Sequence, residues 1–229
     1  MKIYFAGISG NVKRLNYLKE FGATKLMLTF ADAKFYGRQM ERFKNMNFEI
    51  LLDSGAFSTW KRGTEIKIDD YCSFIRKHSI NNYITLDAVG DARRTEENTK
   101  AMESNGFSPI PVFHMGASLT VLERLLDEYP YICLGGSVGA TYAKRVNFFR
   151  SVFNFAPKHQ FHGLGLTDSR IMKMFPFFSV DSTTWLTAEK NGKILTIDGV
   201  QIKAPLEMDA KTRFENTIKY FVNIELLDI

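Results

Sequence analysis

Eight short runs rich in β-branched, aliphatic and aromatic residues recur along this chain, at 3–8, 25–30, 50–53, 83–87, 110–114, 131–134, 161–166 and 177–181. Segments with helical spacing separate many of them. Tyr71, Phe74 and Ile75 mark a helix over 69–78. Leu119, Leu122, Leu125 and Leu126 mark one over 118–128, and Val146, Phe149, Val152 and Phe153 mark one over 143–155. A polar stretch over 95–105 completes the series with few apolar anchors. Strands alternating with such helices specify βα units and a parallel sheet. Eight of them predict closure into a single (β/α)8 TIM barrel, whose usual size of roughly 250 residues suits a chain of 229.

After residue 181 the pattern changes. Asn191-Gly192 is a strong two-residue hairpin signal, and the runs 187–190 and 193–197 flank it, so a β-hairpin insertion is predicted near the C-terminus. A last helix over 209–226 would close the barrel. No repeat, linker or low-complexity tract divides residues 1–229, which read as one domain.

Composition narrows the function classes. A 45% hydrophobic content supports a sizeable core and argues against disorder. Most of the 20 Phe must pack, leaving a few for stacking on a base. The net charge of +5 is compatible with a polyanionic partner without requiring one. Two cysteines, Cys72 and Cys133, provide neither a disulfide scaffold nor a Cys-based zinc site, and both read as small buried or half-buried residues in a reducing compartment. No signal peptide or membrane span is evident, which predicts a cytoplasmic protein without membrane partners.

Three strand-like runs end in an aspartate: Asp53, Asp87 and Asp181. In a parallel barrel the strand C-termini share one mouth, so the three carboxylates are expected to converge. Paired carboxylates suit cleavage of a sugar–heteroatom bond, with one attacking the anomeric carbon and another moving a proton. Each has a plainer reading. Asp53-Ser54-Gly55 is also good turn chemistry. Asp181-Ser-Thr-Thr-Trp185 also reads as a capping run, although its hydroxyls could meet a phosphate or ribose. Asp91 reads as a solvated loop residue or a cap for the following helix. Gly135-Gly136 is either a tight turn or a pair of backbone donors to a heterocycle. His162 reads as a satisfied core histidine, whereas His114, at a strand end, is the better candidate for substrate contact. Neither has the spacing of a metal site.

Taken in order, these motifs resemble the tRNA-guanine transglycosylase superfamily. Asp53-Ser-Gly-Ala-Phe57 is similar to its Asp-Ser-Gly-Gly-Phe motif, Leu134-Gly135-Gly136 to its glycine pair, and Gly163-Leu-Gly-Leu166 to its Gly-Val-Gly strand. Asp87 and Asp181 fall where that family has its recognition aspartate and its nucleophile. The resemblance covers about residues 50–185. It implies that Asp181 attacks C1′ of a guanosine-type nucleotide while Asp53 transfers protons. Asp87, Gly135 and Gly136 would read the base edge, with Ser54, Gly55, Phe57, His114 and Gly165 lining the pocket.

This sequence also departs from the family. No cysteine follows Cys133, so the zinc subdomain is absent. Ala56 replaces a glycine, His114 replaces a glutamine, and no appended RNA-binding domain is present. That combination is more similar to the DpdA-type DNA-guanine transglycosylases of phages and bacteria. These insert 7-deazaguanine bases, such as the 7-cyano base preQ0, into DNA, in a host cytoplasm if phage-encoded. The resemblance therefore implies DNA and a 7-deazaguanine as the two substrates, room for helper proteins, and no cofactor or metal. A basic rim of Lys61, Arg62, Arg93, Arg94, Lys144, Arg145 and Arg170 would hold the nucleic acid. Other readings are the same chemistry on tRNA, of queuine or archaeosine type, a nucleoside or nucleotide N-glycosidase using water, and a non-catalytic nucleic-acid-binding barrel.

Overall fold

The computed structural model describes residues 1–226, and of Lys61 the backbone alone. Eight parallel strands run β1 (Lys2–Ala6), β2 (Lys25–Thr29), β3 (Glu49–Asp53), β4 (Asn82–Tyr83), β5 (Val112–His114), β6 (Tyr131–Gly135), β7 (Gln160–Gly163) and β8 (Ser179–Ser182). The sheet order is β4-β3-β2-β1-β8-β7-β6-β5. A parallel bridge between Ile84 and Ile110 joins its two ends. Thr85 N–H donates to Ile110 O and Ile110 N–H to Tyr83 O, both at 2.9 Å, so the sheet closes on itself.

The helices are α1 (Val12–Glu20), α2 (Ala33–Tyr36), α3 (Met40–Asn45), α4 (Ala56–Lys61), α5 (Ile68–Lys77), α6 (Ala92–Ser104), α7 (Leu119–Glu128), α8 (Tyr142–Phe155), α9 (Ser169–Met174), α10 (Thr187–Lys190) and α11 (Ala210–Leu226). Side chains of Asn11, Asp91, Ser118, Thr141 and Asp168 cap α1, α6, α7, α8 and α9 by accepting from backbone N–H groups of the first turn. Of the two readings of Asp91, the structure shows the cap.

Strand alternation sorts the core into two parts. Tyr4, Ala6, Met27, Leu51, Ile84, Val112 and Cys133 fill the barrel interior. Between barrel and helices lies a larger layer in which Phe5, Phe43, Phe113, Phe149, Phe161 and Phe221 are fully buried. Most phenylalanines are thus packing residues, as expected. Both cysteines are free and buried.

The hairpin exists but is displaced from its predicted turn. Residues 187–190 form α10 rather than a strand, and Gly192, at φ +59°, belongs to the turn that follows this helix. The antiparallel pair is β9 (Lys193–Leu195) with β10 (Gln201–Lys203), closed by a turn at 196–200 that contains Asp198-Gly199. Burial of Ala188 beside α11 and strong helix formers at 188–190 outweigh the Asn-Gly signal. No described helix is long and apolar enough to cross a membrane.

Candidate active site

Asp53 is the last residue of β3, paired in register with Thr29 of β2. Its Oδ2 accepts from Gly55 N–H at 2.9 Å, which turns the chain sharply into α4. Gly55 takes φ +80°, and a Cβ there would lie 2.5 Å from both Ala31 Cβ and Thr29 Cγ2. Glycine is therefore required by close approach of the loop after β2, so the turn reading of this motif holds together with convergence on the mouth. Ser54 is fully buried, and its Oγ accepts from Ala56 N–H at 3.3 Å. Phe57 and Trp60 stack at 6.2 Å on the outward side of α4 and are 39% and 60% exposed.

Asp87 lies just beyond β4. Its Oδ1 accepts from His114 Nε2–H at 2.8 Å and from Thr95 Oγ1–H at 2.9 Å. Thr95 Oγ1 in turn accepts from Ala88 N–H, and Asn98 Nδ2–H donates to Leu86 O at 2.7 Å, so α6 fixes the loop that carries Asp87. His114 thus reaches the carboxylate expected to contact substrate. Thr95 and Asn98 were not legible as site residues, because on a polar helix they look like surface.

Asp181 ends the third arm. It is 5% exposed, and its Oδ1 accepts from Gly165 N–H at 2.7 Å and from His162 Nε2–H at 3.3 Å. Gly165, at φ +60°, brings its N–H inward, and a Cβ there would lie 2.8 Å from Val138 Cγ2. His162 is a satisfied core histidine, as expected, yet one of its two partners is a candidate catalytic carboxylate. Strand parity carries that signal: His162 pairs with Ser179, two residues before Asp181 on the same face. The hydroxyls after Asp181 are mostly turn chemistry. Ser182 and Thr184 are buried, Ser182 Oγ accepts from Thr184 N–H, and only Thr183 is exposed.

The three carboxylates converge. Burial pushes the Cys133 thiol well above its ordinary range, and the charges of Asp53, Asp181 and Asp87 add to the rise. One side chain on β6 thus senses all three. This crowding acts on Asp53. Burial first, then the Asp181 charge, and to a lesser extent Asp87, push its carboxyl up to about 7, against the opposing Gly55 N–H. Gly135 and Gly136 line the facing wall. A Cβ on Gly135 would lie 2.8 Å from Val112 Cγ1, and Gly136 takes φ +75° beside Met115. Gly135 O is occupied by Met115 N–H.

A cleft of about 580 Å³ opens from Asp87 outward, between Trp60, Ile66 and Ile68 on one side and Val89, Arg94 and Asn98 on the other. The basic residues lie in segments that leave strand C-termini, but several are already engaged. Arg93 pairs with Glu97 at 2.6 Å, Arg94 with Glu65, and Arg170 with Asp168 at 2.8 Å while covering the Tyr142 ring at 4.7 Å. Arg62 donates to Ser58 O, Arg145 is half-buried, and Lys144 is exposed. The Lys61 side chain lies outside the described residues. Among the described residues no cluster of three or more His, Cys, Asp or Glu is arranged to hold a metal ion.

No family model and no curated protein matches the sequence. Solved structures do match the fold. A protein of Aquifex aeolicus VF5 aligns with TM-score 0.59 at 11% identity, over 97% of this chain and 92% of that one. The tryptophan synthase α subunit of Legionella pneumophila str. Paris gives 0.59 at 10%, over 97% and 93%. A KDPGal structure gives 0.57 at 9%, over 98% and 96%. The chain is a TIM barrel. At these identities the likeness is one of fold alone.

Proposed function

We propose that this TIM barrel is an enzyme, a transglycosylase that exchanges guanine in DNA for a 7-deazaguanine base. The observation that carries the reading is the unequal treatment of the acids at one mouth. Burial and then the Asp181 charge push the Asp53 carboxyl up to about 7, and the neighbouring Asp181 is buried with its Oδ1 held by two N–H donors. Two neighbouring carboxylates with different surroundings can divide a reaction into proton transfer and nucleophilic attack.

In the proposed reaction Asp181 Oδ2 bonds to C1′ of the target nucleotide as the C1′–N9 bond breaks. The electron pair leaves with guanine, which takes the proton of Asp53. The incoming 7-deazaguanine then returns an N9 proton to Asp53 and attacks C1′, expelling Asp181. This is the double displacement of a retaining glycosidase with a base as acceptor. Asp87, fixed by His114 and Thr95, offers Oδ2 to the N–H edge of a purine. The stacked Phe57–Trp60 pair and the adjoining cleft suit a flat base brought out of its stack.

One observation favours a second reading. Arg93, Arg94 and Arg170 each pair with a carboxylate, and Glu65, Asp69 and Asp91 line the cleft. A rim neutralised in this way grips a phosphate backbone less well and suits an N-glycosidase acting on free nucleosides. Transfer to tRNA keeps the same chemistry. Labelled guanine offered with single-stranded DNA, duplex DNA, tRNA or free nucleosides separates these readings by where the label goes and whether water alone consumes the substrate.

A further inference from the structure

Beneath Asp181 a line of polar groups runs from His162 into the barrel, and the proposed reaction assigns no step to it. His162 on β7 is wholly buried. Its Nε2 lies 3.3 Å from Asp181 Oδ1, and its Nδ1 lies 2.5 Å from Ser179 Oγ. Ser179 Oγ lies 2.5 Å from the Tyr131 hydroxyl. The rings of Tyr4 and Tyr131 meet the imidazole edge-on, at 5.9 and 6.4 Å, so the histidine has little room to turn.

The roles along this line follow from a carboxylate that faces a neutral imidazole. A carboxylate accepts and does not donate, so the proton that faces Asp181 is on His162 Nε2. In the neutral ring Nδ1 then presents a lone pair, and Ser179 donates to it. The Ser179 oxygen then accepts from Tyr131, a phenol that burial keeps protonated. The hydrogen bonds from His162 and Gly165 both fall on Asp181 Oδ1, and Oδ2 receives neither.

We propose that His162 is a positioning residue for Asp181. Ser179 and Tyr131 hold it in the Nε2–H form, and it fixes Oδ1 so that Oδ2 is the attacking oxygen. The proposal rests on the reading of Asp181 as nucleophile. It gives a buried histidine a task that packing does not demand, because an apolar residue would fill the same space without a polar chain to satisfy.

Two measurements on the full-length protein test it. In 15N-histidine-labelled protein, His162→Gln assigns the His162 signals among the four histidines. The expected spectrum near neutral pH shows the proton on Nε2 alone. A proton on Nδ1, or on both nitrogens, overturns the chain. In the base-exchange reaction, His162→Leu is expected to slow formation of the glycosyl-enzyme roughly 100-fold, the scale of a displaced reacting group. KM for the base should change less than about threefold. His162→Gln keeps an N–H near the Nε2 position and should recover most of the rate. Ser179→Ala, which touches neither Asp181 nor substrate, should slow the step roughly tenfold, as loss of a supporting hydrogen bond does at other sites.

A His162→Leu variant that exchanges at the wild-type rate overturns the positioning role, and so do Leu and Gln variants that lose equally. If His162→Leu does not fold, Ser179→Ala decides, and an unchanged rate there overturns the proposal. Absence of exchange in the wild-type protein would instead defeat the transglycosylase reading. The imidazole spectrum would then still decide whether the chain exists.

Discussion

Replacing Asp53 by Asn isolates the electrostatic cost of the crowded mouth. The amide preserves volume, and its oxygen can still accept from Gly55 N–H, so the turn into α4 is retained. The carboxyl is raised from its ordinary 3.8 to about 7, chiefly by burial and then by Asp181. Its folded value lies above its unfolded value, so folding takes up a proton between the two. The group contributes fully below about pH 4, and that contribution is lost as pH rises toward 7. At about 1.4 kcal/mol per pH unit the loss amounts to at most about 4 kcal/mol. Above about pH 8 both states are ionised and the difference is constant. Denaturant unfolding of wild type and Asp53→Asn from about pH 4 to pH 8.5 measures it directly. The variant's advantage should grow through this window and then level. It should shrink when Asp181 is also replaced by Asn, because one of the charges that raises Asp53 is gone. A stability difference that does not change with pH would refute the assignment of a raised carboxyl at Asp53.

Other outcomes follow from the same geometry. Asp181→Ala should abolish base exchange and any covalent glycosyl-enzyme while the circular dichroism spectrum is unchanged; trapping an intermediate in that variant would remove Asp181 as nucleophile. Asp87→Asn weakens an acceptor for base N–H groups, and hydrogen bonds to charged groups are worth about 1.5–3 kcal/mol. Its base affinity, measured by calorimetry, should fall roughly 10- to 100-fold. Gly55→Ala forces an L-residue to φ +80° and drives a Cβ into Ala31 and Thr29. Thermal unfolding should show a loss of about 2–5 kcal/mol from backbone strain and overpacking together.

Much of the barrel is legible in the sequence because strands and helices here obey their periods. All eight predicted runs overlap a strand or its immediate extension. Two of the boundary errors have clear physical causes. The run at 83–87 yields a two-residue β4, because Asp87 and its neighbours leave the sheet to meet Thr95 and His114. Phe177 reads as the start of β8 but packs outward against Phe149 and Phe153, and the strand begins at Ser179. At the hairpin, Asn191-Gly192 and Asp198-Gly199 are both turn signals, and the helix formers at 188–190 together with the packing of α10 against α11 decide between them.

The candidate site divides the same way. Convergence of Asp53 and Asp181 follows from strand order, since both lie at strand ends that face the mouth, whereas Asp87 lies in the loop after β4 and is placed by Thr95 and His114. Gly165 as a donor to Asp181 and Thr95 as a partner of Asp87 depend on how loops fold back, which no local pattern encodes. His162 was within reach, since it occupies an inward position on β7 in register with the strand that carries Asp181. The basic rim shows the limit of charge counting. A list of lysines and arginines does not reveal that Glu65, Glu97 and Asp168 occupy three of them.

The most direct measurement is base exchange with the purified protein. Radiolabelled guanine is offered with single-stranded DNA, duplex DNA or tRNA, with Asp181→Ala alongside. The expected result is label that enters DNA and vanishes in the variant. Label in DNA that persists in Asp181→Ala, or no label in any polymer while free nucleosides are hydrolysed, would contradict a DNA transglycosylase acting through Asp181.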